Sequence, residues 1–280
     1  MNLLSILAPI LAALGTISGL GILFGIGLTV ASRFFHVEKD ERLEKIEQIL
    51  PQINCGACGF AGCAAYAGAI VGGDAALTLC TPGGEETARK LAEIMGRAME
   101  STGAVRRVTQ VHCRGGREQA VYTFDYHGLN ECAALFMLGG GNKQCKYGCL
   151  GLGSCVRVCP VDAIAYDDNG LVWVDKEKCI ACGKCIDVCP TKVMRWVPKD
   201  ADFLVVCNSH DTGPVTKRAC KVGCIACKIC EKRSPEGGYQ VVDYLSVIDY
   251  NAEGEREEAA KKCPTACIIP NRSPSAESFG

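Results

Sequence analysis

The 280-residue chain has only four histidines and few aromatic residues, and it lacks the short motifs of the common nucleotide and catalytic sites. Its histidines show no metal-ligand spacing, which argues against a histidine-rich zinc site. Neither a Walker phosphate loop nor a G-x-G-x-x-G dinucleotide fingerprint occurs in the sequence. The residue pairs that acid–base or nucleophilic catalysis requires are absent as well. These absences argue against a chain that makes or breaks bonds at a site of its own.

Charge is missing from the N-terminus, because residues 1–32 contain no acidic or basic side chain. The run exceeds the roughly 20 apolar residues that cross a bilayer, so we predict one transmembrane helix from Leu3 to Val30. A cleaved signal peptide is the alternative, but the start has no cationic region and the apolar stretch is too long. The basic residues that follow are Arg33, Lys39, Arg42 and Lys45. By the positive-inside rule they predict a single-pass protein of the cell membrane whose long C-terminal part lies in the cytoplasm.

Cysteine is the residue in excess, with 21 in the chain. This density is typical either of a disulfide scaffold in a secreted protein or of metal ligation by thiolates in a reducing compartment. The cysteines fall into tight runs, and several directly precede proline. Disulfide frameworks scatter cysteines through loops, so the spacing favours metal.

The sequence predicts an α+β protein in five parts. They are a transmembrane anchor (1–32), a connector helix with a small helical four-cysteine domain (33–100), a small α/β connecting segment (101–140), a two-cluster module of bacterial ferredoxin type (141–200) and a degenerate second module (201–280). The helices expected outside the membrane are an amphipathic connector at 38–50, a small-residue helix from Ala64 to Val71, and a helix from Glu85 to Glu100. Strand-like runs are expected between Val105 and Tyr126 and after each cysteine-rich run.

The run from Cys179 to Pro190 matches the complete C-x2-C-x2-C-x3-C-P pattern, whose last cysteine ligates the other cluster in two-cluster ferredoxins. One [4Fe–4S] cluster is therefore predicted on Cys159, Cys179, Cys182 and Cys185. A second cluster is predicted on Cys145, Cys149, Cys155 and Cys189. In this second set Cys145 must fold back from upstream, because the LGLGS stretch occupies the usual middle position.

The second module retains only one of its two cluster sites. Cys224, Cys227 and Cys230 keep the loop spacing, but Ser234 replaces the cysteine before proline, and serine is a poor ligand here. The stretch YNAEGEREEAAKK before Cys263 contains no cysteine. Under cross-ligation both losses belong to one cluster. The surviving cluster is predicted on Cys224, Cys227, Cys230 and Cys263.

A further group lies near the N-terminus, and it predicts a fourth cluster on Cys55, Cys58, Cys63 and Cys80. The intervening glycines let the backbone pass close to a bulky cofactor. Structural zinc is the alternative for any four-cysteine group. The cysteines without a predicted cluster are Cys113, Cys132, Cys207, Cys220 and Cys267. We expect most of them to be buried packing thiols, with Cys207 and Cys220 as candidates for substitute ligands.

The single helix, PQINCGACGFAGC, CKYGCLGLGSCVRVCP and CIACGKCIDVCP together resemble the RnfB family, the B subunits of Rnf electron-transport complexes. The N-terminal cysteine group resembles the Fes domain of that family. The resemblance implies a protein that passes electrons from reduced ferredoxin towards NAD, in a complex that translocates sodium ions or protons. The partners it implies are other membrane and cytoplasmic subunits and soluble ferredoxin.

Ferredoxin is expected to dock on a basic section of the sequence around Lys184, Lys192, Arg195, Lys217 and Lys221. One alternative function is a reductive activator of a corrinoid protein, since such proteins share the Fes domain. Another is a non-redox interaction protein with structural metal sites, which would contain zinc or show no reversible reduction.

Overall fold

The computed structural model describes residues 3–34, 40–98 and 106–271, without the side chains of residues 3–13. Parts of three predictions lie outside these residues: Lys39 in the connector, the end of the third helix at Glu100, and the strand start at Val105. The chain divides into two units, Met1–Glu44 and Lys45–Gly280.

Helix α1 (Leu3–Phe34) forms the first part of the chain and runs beyond the predicted end at Val30. Its segment Leu14–Phe34 is long and apolar enough to cross a membrane, with mean hydropathy 1.8. The large apolar side chains from Leu14 to Val30 are all more than half exposed in the protein itself. Such a surface needs lipid or partner helices to cover it.

Three helices build the region of the N-terminal cysteine group: α2 (Glu41–Ile49), α3 (Cys63–Gly72) and α4 (Gly84–Met95). Ile46 of α2 is fully buried, as the amphipathic pattern requires. Helix α4 is shorter than the predicted 85–100, because Gly96 takes a left-handed conformation with φ 60° and ends it.

The two cysteine-rich modules share one arrangement, in which an outer pair of antiparallel strands accompanies a β-hairpin. In the first module β1 (Arg107–Val111) pairs with β4 (Met194–Pro198), and β2 (Ile164–Tyr166) pairs with β3 (Val172–Val174). In the second, β5 (Phe203–Val205) pairs with β8 (Ile268–Pro270), and β6 (Tyr239–Val242) pairs with β7 (Leu245–Ile248). The short helices of these modules are α5 (Cys132–Phe136), α6 (Ser154–Arg157), α7 (Lys184–Asp187), α8 (Gly213–Ala219), α9 (Ile229–Arg233) and α10 (Glu257–Lys262).

The predicted connecting segment 101–140 contributes β1 to the sheet of the first module. Among its described residues β1 is the one full strand, and single bridges join Ala120 to Cys220 and Tyr122 to Lys143. The segment is thereby hydrogen-bonded to both modules. The five-part division of the chain stays a prediction.

Each module has its own apolar core, and cysteines form part of both cores. The first is built around Val108, Met194 and Val197, and the second around Leu245 and Ala259. The cores are small, so the cysteine loops packed against them need a further source of stability, which bound metal can supply.

Candidate metal centres

Cys159, Cys179, Cys182 and Cys185 line one cavity of about 310 Å³, which is the set that the sequence predicts for the first cluster. Helix α7 starts after Gly183, whose φ of 79° is a left-handed conformation that suits glycine. The hydroxyl of Thr109 on β1 lies 3.4 Å from the Cys185 sulfur and 3.7 Å from the Cys179 sulfur. Burial raises the pKa of Cys185 to about 11. Its thiolate therefore needs a bound cation to be stable, as iron would provide.

A second cavity, of about 360 Å³, is lined by a set of cysteines that differs at one position from the set predicted from the sequence. It is lined by Cys132, Cys149, Cys155 and Cys189, so Cys132 stands where Cys145 was expected. Burial raises the pKa of Cys155 to about 12, so its thiolate, too, would need a bound cation to be stable.

Hydrogen bonds at the start of α5 explain the position of Cys132. The Cys132 backbone N–H donates to Ser154 Oγ at 2.9 Å, and Ser154 Oγ donates to Glu131 Oε2 at 2.8 Å. The Glu131 carboxylate also pairs with Arg157 at 2.9 Å. These contacts hold the start of α5 against α6, which carries Cys155. No local pattern predicts this position, because Cys132 lies well upstream of the cysteine run.

The cavity of the second module, about 320 Å³, brings together the four predicted ligands Cys224, Cys227, Cys230 and Cys263, and also Cys267. The Cys267 sulfur lies 3.6 Å from the Cys263 sulfur. A hydrogen bond from the Cys267 thiol lowers the pKa of Cys263 to about 5 and is the main cause lowering that of Cys224 to about 6, while the pKa of Cys267 itself is raised. Among these sulfurs, the pKa shifts favour thiolate at Cys224 and Cys263 and the neutral thiol at Cys267.

The N-terminal cysteines also lie close to one another. Burial is the main cause of the raised pKa of Cys80, and the charges of Cys63, Cys55 and Cys58 raise it further. Asn54 Oδ1 accepts the backbone N–H of Cys63 at 2.9 Å and so fixes the start of α3. The loop reaches this geometry through left-handed backbone at Gly56 and Gly59, with φ of 79° and 85°.

The arrangement of the cysteines bears on whether clusters or single metal ions suit these sites. In the described part of the chain, no three His, Cys, Asp or Glu side chains are arranged to hold a single metal ion. A tetrahedral zinc site draws its sulfurs to about 2.3 Å from one point, whereas a four-iron cluster holds them around a larger body. The cysteine-lined cavities fit the larger group.

Cys145 lies elsewhere. It lines a separate cavity with Cys113, Cys207 and Cys220, three residues without a predicted cluster.

Comparison with known families places the chain among iron–sulfur proteins with [4Fe–4S] clusters. Residues 50–82 match the family described as putative Fe-S cluster, and residues 145–195 match the 4Fe-4S dicluster domain. The α+β class, with one N-terminal apolar helix, and the presence of [4Fe–4S] clusters are confirmed.

Relatives similar over nearly the whole chain identify the family. The chain is 41% identical, over 94% of its length and 78% of the relative's, to the B subunit of the Na(+)-translocating ferredoxin:NAD(+) oxidoreductase complex of Acetobacterium woodii. It is 38% identical, over 91% of its length and 94% of the relative's, to the B subunit of the ion-translocating oxidoreductase complex of Methanosarcina acetivorans. A proton-translocating counterpart from Clostridium ljungdahlii is 39% identical over 89% of this chain and 88% of its own. The chain belongs to the RnfB family, the B subunits of these ion-translocating complexes.

Proposed function

We propose that the chain is the membrane-anchored electron-relay subunit of a ferredoxin:NAD+ oxidoreductase complex that translocates sodium ions or protons. The observation that carries this is a succession of neighbouring cysteine sites in a chain whose relatives are named as subunits of such complexes. Bound [4Fe–4S] clusters would accept and release single electrons, and the protein's part is to hold them close together and away from water.

The cysteine sites lie close enough to one another for the charge of a cysteine in one site to affect the pKa of a cysteine in the next. Burial is the first cause of the raised pKa of Cys182, but the charge of Cys55, from the N-terminal group, also raises it. In the same way the charge of Cys185, from the first cavity, contributes to the raised pKa of Cys155 in the second. Thus the N-terminal group, the first cavity and the second cavity follow one another.

The exposure of one cysteine and of nearby lysines favours the second module as the part of the protein to which an electron donor would dock. Cys227 is the one exposed cysteine among the 21, all of which are described. Lys221 and Lys228 are exposed on the same loop, and Lys217 is exposed at the end of α8. Since ferredoxin is expected to be acidic, this basic surface would steer it towards the solvent-facing edge of that site.

Two of the three predicted docking residues of the first module are less accessible to a partner than the third, Lys192. Lys184 and Arg195 are half-buried, and the Arg195 guanidinium donates to Asn208 Oδ1. We therefore centre the docking surface on Lys217, Lys221 and Lys228, with the exposed Lys192 as a further member.

The test is the rate at which reduced ferredoxin reduces the full-length chain in detergent, followed by stopped-flow absorbance without oxygen. Replacing Lys217 and Lys221 by glutamate should slow the reaction about tenfold at low salt, and the difference should shrink as salt rises. Lys261→Glu with Lys262→Glu makes the same charge change on α10 and should have a smaller effect. Equal rates for both variants and the native chain would remove the docking proposal, and dithionite, which needs no docking, checks that the variants remain reducible.

Ion translocation itself is assigned to partner subunits. Residues 1–32 contain no charged side chain, and a single helix of this kind offers no path for an ion. The basic residues after α1 favour a cytoplasmic location for the soluble part under the positive-inside rule. A C-terminal alkaline phosphatase fusion should then be inactive and a fluorescent-protein fusion bright, and the opposite pair would reverse the topology.

A further inference from the structure

A cavity of about 380 Å³ lies where the two modules meet, and four cysteines line it. They are Cys113 and Cys145 of the first module and Cys207 and Cys220 of the second. We propose that these four residues bind an additional [4Fe–4S] cluster, which joins the two modules. The cavity is similar in size to the three cysteine cavities already described, which measure about 360, 320 and 310 Å³.

The four cysteines occupy equivalent places in the two modules. Cys113 stands two residues after β1, and Cys207 stands two residues after β5, the corresponding strand. Cys145 and Cys220 each open a C-K-x-G-C segment, CKYGC and CKVGC. Each module therefore contributes one cysteine from the end of its outer strand and one from its cysteine loop. Random packing thiols would not be expected to repeat in this way.

Backbone hydrogen bonds to sulfur repeat with the same symmetry. The backbone N–H of Cys149 donates to the Cys113 sulfur at 3.3 Å, and the backbone N–H of Cys224 donates to the Cys207 sulfur at 3.2 Å. A second N–H, from Ser209, reaches the Cys207 sulfur at 3.5 Å. Hydrogen bonds of this kind favour the charged form of a group, so they suit thiolates bound to iron.

A buried cation stands beside the cavity. Lys143 lines it, is only 2% exposed, and donates from Nζ to the carbonyls of Gly115 and Cys149, both at 2.6 Å. A buried ammonium is costly unless negative charge compensates it. In the described structure its partners are two neutral carbonyls and the face of the Tyr122 ring, 5.2 Å from Nζ, none of which carries a full negative charge. Four thiolates on a cluster of net negative charge would supply that counter-charge.

Gly115 allows the sulfurs to approach one another. A Cβ added there would lie 3.0 Å from the Cys220 sulfur and 3.9 Å from the Cys113 sulfur. A side chain at residue 115 would therefore crowd the Cys220 sulfur, so the backbone passes close to this cavity. Cysteines that only filled space in the core would not require the backbone to lie this close to a cavity.

The proposed cluster site lies between the second cavity of the first module and the cavity of the second module. Cys149, which donates to the Cys113 sulfur, belongs to the second cavity of the first module. Cys224, which donates to the Cys207 sulfur, belongs to the cavity of the second module. The four-cysteine cavity is therefore in direct hydrogen-bonded contact with ligands on both sides. With it, all the cysteine groups of the described chain form one continuous series.

The test is metal content of the full-length chain, purified in detergent without oxygen. About twenty irons and as many sulfides per chain, with no zinc, are expected for five four-iron clusters. About sixteen irons, with or without one zinc, together with no loss of iron in the Cys220→Ala variant, would overturn the proposal. Mössbauer spectroscopy of the same sample must account for all of the iron as cubane clusters.

A variant locates the extra iron. Cys220→Ala should lose about four irons and as many sulfides, whereas Val222→Ala, a truncation in the same cavity, should lose none. If the Cys220→Ala variant does not accumulate, the Cys113→Ala variant removes a proposed ligand of the same cluster from the first module. Full iron in either cysteine variant overturns the proposal. These counts do not depend on ferredoxin, so they stand or fall separately from the docking experiment.

Discussion

Arg256 Nη1 lies 3.0 Å from Asp202 Oδ1, with the arginine side chain only 9% exposed. The same guanidinium donates to the carbonyls of Gly237 at 2.8 Å and Asp249 at 3.3 Å. Arg256 stands seven residues before Cys263, as Cys182 stands seven residues before Cys189. A buried cation held by backbone oxygens therefore takes the sequence position of a cluster ligand in the module for which the sequence predicts one cluster instead of two. Ser234, at the other lost position, is buried and donates to the Glu255 carbonyl.

Removing this arginine should destabilise the second module. Arg256→Ala leaves the half-exposed Asp202 carboxylate and the carbonyls of Gly237, Asp249 and Ala252 without their partner, and we expect this to cost about 1–3 kcal/mol. We expect a clearly lower guanidinium concentration at half-bleaching of the cluster absorbance. Arg233→Ala removes an exposed pair with Glu258 at 3.9 Å and should cost at most about 1 kcal/mol. Equal midpoints for the two variants would refute the structural role of Arg256.

The assignment of Cys132 and Cys145 to different clusters can be tested by comparing the iron lost from the single and double alanine variants. If they serve different clusters, each alanine variant loses about four irons and the double variant about eight. If they served one cluster, the double variant would lose no more than either single one. Iron and sulfide analysis of the three variants decides between these outcomes.

Lys143 should raise the reduction potential of the clusters beside it. Its charge favours thiolate at both Cys149 and Cys220, although burial dominates the pKa of each. Lys143→Met removes one positive charge at a partly screened distance, so we expect at least one potential to fall by about 50–100 mV. Lys146→Met, an exposed neighbour, should leave the potentials nearly unchanged. Redox titration followed by electron paramagnetic resonance measures both, and equal potentials would contradict this role.

Cys267 should tune a cluster without binding it. It stands four residues after Cys263, as Val193 stands four residues after Cys189, so Cys267→Val copies the first module. The variant should keep its full iron content. Its potential should fall, because the more negative reduced state loses a hydrogen bond to its sulfurs. A loss of about four irons would show instead that Cys267 is a ligand.

The sequence alone determined the features that are local along the chain. The apolar run of 1–32 indicates a membrane segment whatever the rest does, because spanning length and hydropathy are properties of consecutive residues. The spacing from Cys179 to Cys189 predicts three ligands of one site and one of another, because a compact loop can place its sulfurs only on a nearby cluster. The α+β class and the [4Fe–4S] chemistry follow from the same patterns.

Only the tertiary structure decided which distant cysteines meet. Cys132 reaches its cavity through the hydrogen bonds that fix α5 against α6, and no spacing encodes them. Cys113 and Cys207 lie far apart in sequence, yet equivalent strand ends carry them to one cavity between the modules. A residue outside a cysteine run is placed by strand pairing and helix packing, which depend on the whole chain. The repeat of two modules is visible in the sequence, but the site that they form together exists only when both are folded.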